Sequence, residues 1–116
     1  MILAIIINLS LGGDVGKFGN RIEAGEVAAI KGICVSACTM YLKTGCVYPD
    51  ATLGFHSSSV TSGKEEDRLK WNNIIASFYP KNLSEWYLAG PANSKRVVWI
   101  SGKQAIALGA KQCEEN

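Results

Sequence analysis

The only histidine of the chain, His56, lies twenty residues beyond Ser36, which sits in the run Gly32-Ile33-Cys34-Val35-Ser36-Ala37-Cys38-Thr39. These two side chains fit nucleophilic catalysis. A serine hydroxyl attacks a carbonyl only when a base removes its proton, and imidazole is the side chain best suited to that task near neutral pH. With one histidine there is one candidate base. A small-residue turn that enters an apolar helical pattern suits the nucleophile, although a serine at such a point also serves as a plain helix cap. Gly12-Gly13 upstream offers backbone N–H groups for the oxyanion that the attack would create.

The other constellations are weaker. Gly13-Asp14-Val15-Gly16-Lys17 has the flavour of a phosphate loop, but the glycine spacing is wrong and Phe18, not Ser or Thr, follows Lys17. The cysteines Cys34, Cys38, Cys46 and Cys113 contain no Cys-x-x-Cys pair. With one histidine their spacing does not suit zinc, so neither metal nor cofactor is expected. Buried free thiols are the expected state, with Cys34 and Cys38 as small packing residues beside Ser36. A Cys34–Cys38 disulfide is the alternative, and export would favour disulfides. A Cys34/His56 nucleophilic pair is a minor variant. The compartment, cytoplasmic or periplasmic, stays open.

Residues 2–8 read as a continuous apolar strand of the kind buried in parallel sheets. The apolar run stops at Leu9, well short of the ~20 residues a membrane helix needs, and no basic flank marks a signal peptide. Ser10 to Asp14 is a turn, and residues 15–24 form a short helix with Phe18 and Ile22 on one face. Val27 to Ile30 is a second buried strand, Lys31 to Val35 a tight connection, and Ser36 to Lys43 a helix stopped by Gly45. Short strands at 46–48 and 52–56 precede a polar loop, Ser57 to Gly63.

Lys64 to Phe78 is an amphipathic helix. Trp71, Ile74, Ile75 and Phe78 recur at helical spacing as core or subunit interface, and Glu65, Glu66 and Asp67 load the first turn. Pro80 ends it. A helix at 81–88, a strand at 97–100 and a final helix at 103–108 follow; Ser101 caps the last, and Gly109 ends it. The alternation predicts one α/β domain over residues 1–116, with a helical extension at about 64–89. The chain has 116 residues, 47% of them hydrophobic and 19% charged, which is an ordinary globular balance. A net charge of +2 is too small to point to nucleic acid or to an anionic membrane surface.

Four segments in order carry a resemblance. They are Ser10-Leu11-Gly12-Gly13 after the first strand, Cys34-Val35-Ser36-Ala37-Cys38 entering a helix, Gly54-Phe55-His56 at a strand end, and Trp99-Ile100-Ser101 before a short helix rich in Ala and closed by Gly109. Together they resemble the ClpP/crotonase superfamily, in particular the proteolytic subunit of the Clp protease and its periplasmic-type relatives.

The resemblance implies a minimal version of that family's spiral of β-β-α units and a serine endopeptidase. Ser36 would be the nucleophile, His56 the base, and the N–H groups of Gly13 and Ala37 the oxyanion hole. Counting back eight residues from Ser101 gives Asn93 as the group that orients the histidine; Asp50 and Asp14 are the carboxylate alternatives. Substrates would be peptides or unfolded proteins, and the chain would form a homo-oligomer. Leu11 stands where the family has proline. No counterpart of the family's N-terminal strand and helix is present, so docking to an ATPase partner is not expected. Rival readings are an inactive scaffold that keeps only the assembly role, a thioester-binding crotonase type, and a lysine-base enzyme using Lys95 or Lys103.

Overall fold

A computed structural model describes residues 4–114, with side chains from Ile5 onward. The elements are β1 (Ala4–Ser10), α1 (Val15–Glu23), β2 (Val27–Val35), a 3₁₀ helix (Ser36–Lys43), β3 (Cys46–Val47), β4 (Thr52–Phe55), α2 (Glu65–Ala76), α3 (Lys81–Ala89), a 3₁₀ turn (Pro91–Asn93), β5 (Val98–Ser101) and α4 (Gly102–Ala107). The architecture is a small mixed α/β domain. Its sheet runs β1-β2-β4-β5, with β3 also paired to β2. β1, β3 and β4 are parallel to β2, and β5 is antiparallel to β4.

Local chemistry explains most boundaries. Asp14 caps α1 by accepting the Lys17 N–H at 3.1 Å. The same helix ends where Glu26 N–H reaches back to the Arg21 carbonyl at 3.0 Å around the left-handed Gly25. Ser101 and Gln104 form a reciprocal capping box at the start of α4.

Two expected features are corrected. Residues 31–35 are not a connection: β2 runs straight on to Val35, because Ile33 and Cys34 pair with Leu9 and Ser10 on one side while Ile33 to Val35 pair with Thr52 to Gly54 on the other. Gly32 permits that close pairing, since a Cβ there would land on the Asn8 carbonyl oxygen. The first strand, expected to be buried on both faces, is instead the edge of the sheet. Ile7 is buried, but Ile6 and Leu9 are each 65% exposed, because no described element covers their face. Residues 2 and 3 of that expected strand lie outside the described residues.

The core lies on the opposite face. Ile30, Leu53, Met40, Tyr41 and Leu83 are fully or almost fully buried there. Phe55 centres an aromatic cluster, its ring 5.6 Å from Tyr79, 5.2 Å from Trp86 and 6.3 Å from Tyr87. This cluster fixes the end of β4, one residue before His56. The stripe on α2 divides as expected in part. Ile75 and Phe78 are core and Ile74 packs against it, whereas Trp71 is half-buried at a cavity wall.

The free-thiol expectation is overturned. Cys34 bonds Cys38, and Cys46 bonds Cys113. The first pair is brought within 5.8 Å, Cα to Cα, by the passage from β2 into the 3₁₀ helix. The second forms because the C-terminal segment returns beside β3, where Cys113 N–H donates to the Val47 carbonyl at 3.0 Å.

Candidate functional site

Ser36 stands between a strand with partners on both sides and the 3₁₀ helix, and it turns the corner with φ +66°. It is the only residue other than glycine with positive φ among the described residues. A side chain in the left-handed region costs about 1–3 kcal/mol, and such outliers gather at functional sites. A serine held at a sharp strand-to-helix turn has its hydroxyl lifted clear of the sheet. Thr39 Oγ donates to the Ser36 carbonyl, so it must accept from Tyr79 O–H at 2.6 Å. Burial drives the Tyr79 phenol well above its ordinary pKa and keeps it the donor of that pair.

Ser36 and His56 line one cavity of about 430 Å3, together with Gly13, Val60, Trp71 and Ile75. Both are half-buried. Among the described residues, no hydrogen bond joins Ser36 Oγ to the imidazole. His56 Nδ1 lies 2.6 Å from the Ser57 carbonyl oxygen. A carbonyl can only accept, so Nδ1 carries the proton and the neutral ring offers Nε2 as its basic nitrogen.

The segment bearing His56 is gripped at every residue. Tyr87 O–H donates to the His56 carbonyl at 2.9 Å. Ser57 N–H donates to the Ser94 carbonyl at 2.7 Å, and Arg68 Nη1 donates to Ser57 Oγ at 2.8 Å. Ser58 N–H donates to Asn72 Oδ1 at 2.8 Å. Arg68 Nη1 and Asn72 Nδ2 both reach the Ala92 carbonyl, at 3.0 and 2.9 Å. Glu65 pairs with the Arg68 guanidinium, which holds its carboxyl below the usual range. Thus α2, α3 and the 3₁₀ turn at Pro91–Asn93 form a holder for the histidine peptide.

Gly13 faces the cavity with φ +151°, a conformation that favours glycine, and a Cβ there would collide with the Phe18 ring. Ala37 is the second residue of the 3₁₀ helix, where N–H groups have no intrahelical acceptor, and Val35 at the cap supplies no side-chain bond. Ala37 itself is fully buried and is not among the residues that line this cavity.

Among the described residues, none of the expected orienting residues bonds the imidazole. Asn93 is exposed in the 3₁₀ turn, lines a second hollow beside His56, and gives its amide to the Leu88 carbonyl at 3.5 Å. Asp14 lines the cavity that holds Ser36 while capping α1. Asp50 is exposed in the turn before β4 and is not among the cavity residues. The group on Nδ1 is the Ser57 carbonyl. Of the rival bases, Lys95 and Lys103 are both exposed, and neither lines the cavity that holds Ser36.

Ser57, Arg68, Asn72 and Tyr87 were not singled out from sequence. The available signal was Asn72, an amide on the inward face of α2 at the spacing of Arg68, Ile75 and Ala76. Compared with family models and with curated proteins, the chain matches none.

Proposed function

We propose that this chain is a serine peptidase of the ClpP/crotonase type. The observation that carries the reading is Ser36, held in a left-handed turn at the wall of a cavity that also contains the sole histidine and the Gly13 backbone. His56 Nε2 takes the Ser36 proton as Oγ adds to a peptide carbonyl. The oxyanion receives the Gly13 and Ala37 N–H groups, and loss of one such donor costs about 100-fold or more in rate. The imidazolium then protonates the leaving amine, and water resolves the acyl-enzyme by the same path. The Oγ–Nε2 bond closes with substrate in place, since catalytic hydrogen bonds are commonly loose without it.

The orienting group in this reading is the Ser57 carbonyl. It selects the Nδ1–H tautomer, as a triad carboxylate does, but stabilises the imidazolium less. The sheet with its crossing helices is consistent with a minimal β-β-α spiral. Ile6, Leu9, Ile33 and Trp99, exposed on one sheet face, suit self-association into a homo-oligomer acting on peptides or unfolded proteins. No described helix is long and apolar enough to cross a membrane.

Two observations favour a second reading, an inactive assembly protein: among the described residues the histidine has no carboxylate partner, and no bond joins it to Ser36. A fluorophosphonate probe separates the two. The peptidase reading expects Ser36 to be labelled, Ser36→Ala to abolish labelling and peptide turnover with the fold unchanged, and His56→Ala to slow labelling at least 100-fold. Absence of labelling in the assembled wild-type protein, with a control hydrolase reacting, refutes it.

A further inference from the structure

Cys34 and Cys38 lie two residues before and two residues after Ser36, and their bond closes a small ring whose middle residue is the left-handed serine. We infer that this disulfide is the positioning element of the nucleophile, so that the oxidised chain is the form whose serine reacts. The inference rests on the peptidase reading for its catalytic consequence, but its structural half stands on geometry alone.

The physical case starts from the turn. A serine released from constraint leaves the left-handed region, because its Cβ crowds the backbone there. Three constraints oppose that relaxation. The pairing of Cys34 and Val35 with β4 fixes the strand up to the corner. Tyr79 and Thr39 hold the Ser36 carbonyl from the core side. Neither, however, ties the incoming strand to the outgoing helix. The Cys34–Cys38 bond alone does so covalently, and it fixes the ends between which residues 35–37 must turn. Both cysteines are 0% exposed. Cys38 Sγ lies 3.4 Å from the Val35 carbonyl and 3.8 Å from the Ser10 carbonyl, next to the Gly12-Gly13 turn. In the disulfide this sulfur has no proton and these are packing contacts. The bonded sulfur thus packs against the strand end that leads to the Gly13 turn, and the pairing of Ser10 with Cys34 sets that strand beside the elbow. Cys46–Cys113 lies at the far end of the fold, at β3, and takes no part in this.

Reduction is a two-electron step. A dithiol donates two electrons and two protons to the Cys34–Cys38 bond, leaves two thiols, and becomes a cyclic disulfide. With both sulfurs buried, exchange in the folded chain is slow. Activity is thereby set by the compartment in which the chain folds, oxidising or reducing, rather than by rapid switching.

The test compares two double variants of the full chain. Cys34→Ala/Cys38→Ala keeps its strand pairing by circular dichroism. Its maximal fluorophosphonate labelling rate at Ser36 falls about tenfold to a hundredfold, the scale of a misplaced reacting atom. The probe concentration giving half-maximal rate changes less than about threefold, because Val60, Trp71 and Ile75 come from other elements. Cys46→Ala/Cys113→Ala lowers the melting temperature yet labels at the wild-type rate while folded. If the alanine pair does not fold, Cys34→Val/Cys38→Ala refills the vacated volume and takes its place. Labelling of the Cys34/Cys38 variant at the wild-type rate overturns the positioning role and leaves the peptidase reading intact. The crystal structure of the same variant decides the matter even if wild-type Ser36 never reacts: Ser36 at negative φ supports the inference, and Ser36 retained at positive φ overturns it.

Discussion

Replacing Asn72 by alanine removes the amide that joins the histidine segment to the helical holder. Asn72 is 2% exposed, so water cannot stand in for it. Three bonds go, and their consequences differ. The Ala92 carbonyl keeps Arg68 Nη1 at 3.0 Å, and Tyr87 O–H keeps its better acceptor, the His56 carbonyl at 2.9 Å. Ser58 N–H, which donates to Asn72 Oδ1 at 2.8 Å, has no replacement. Ser58 is half-buried, so leaving its N–H unpaired costs about 1 kcal/mol, the low end of the range for a buried donor, and the lost amide-to-Ala92 bond adds about 1 kcal/mol. The expected destabilisation is therefore about 2 kcal/mol, read from equilibrium urea unfolding followed by tryptophan fluorescence. Because Ser58 adjoins the carbonyl that orients His56, fluorophosphonate labelling should also slow in the folded variant. Tyr87→Phe, which strips the His56 carbonyl of its donor, should lose less. A loss under about 1 kcal/mol for Asn72→Ala would refute the reasoning, since it would mean that Ser58 N–H finds another partner at no cost.

Gly13→Ala should slow Ser36 labelling by about 100-fold or more with Ser36 itself untouched, because the added methyl displaces Phe18 or moves the proposed oxyanion donor; unchanged labelling would remove Gly13 from the site. Cys46→Ala/Cys113→Ala should lower stability by about 4 kcal/mol in a urea titration, since that bond closes a loop with a sequence separation of 67. Alkaline titration should destabilise the fold. Burial lifts Tyr41 and Tyr87 from 10.0 to about 12, so the unfolded chain releases these protons first. The tyrosine contribution to stability is therefore constant below about pH 10 and falls towards pH 12, and Tyr41→Phe should make the fall shallower in pH-dependent urea midpoints. In sedimentation velocity the wild-type chain should run as a species larger than its 12.5 kDa protomer, and Ile33→Ser/Trp99→Ser should shift it towards monomer.

Much of the element order was readable because it depends on local chemistry. Capping by Ser101, termination at Gly109, and the periodic apolar positions of α2 are all written within a few residues of where they act. So was the nomination of one serine and the sole histidine as the candidates for chemistry. The errors fell where a neighbour distant in sequence decides. Lys31 to Val35 looked like a connection, yet two flanking strands recruit it into β2. An apolar run of isoleucines suggested a strand covered on both faces, yet no described element covers the face that carries Ile6 and Leu9.

The cavity follows the same division. Residue types and order were enough to nominate Ser36, His56, Gly13 and Ala37, because nucleophile, base and donor are properties of individual groups. Four facts emerged only on folding: the left-handed turn at Ser36, the disulfide across it, the Ser57 carbonyl on Nδ1, and the grip of Arg68, Asn72 and Tyr87 on the histidine peptide. Apart from the disulfide and the Arg68 bond to the Ser57 hydroxyl, each depends on a backbone torsion or on a main-chain atom, and main-chain atoms are the same in every residue. Their chemical role is set by where the fold points them, which is why a carbonyl came to stand behind the imidazole where a side chain was sought.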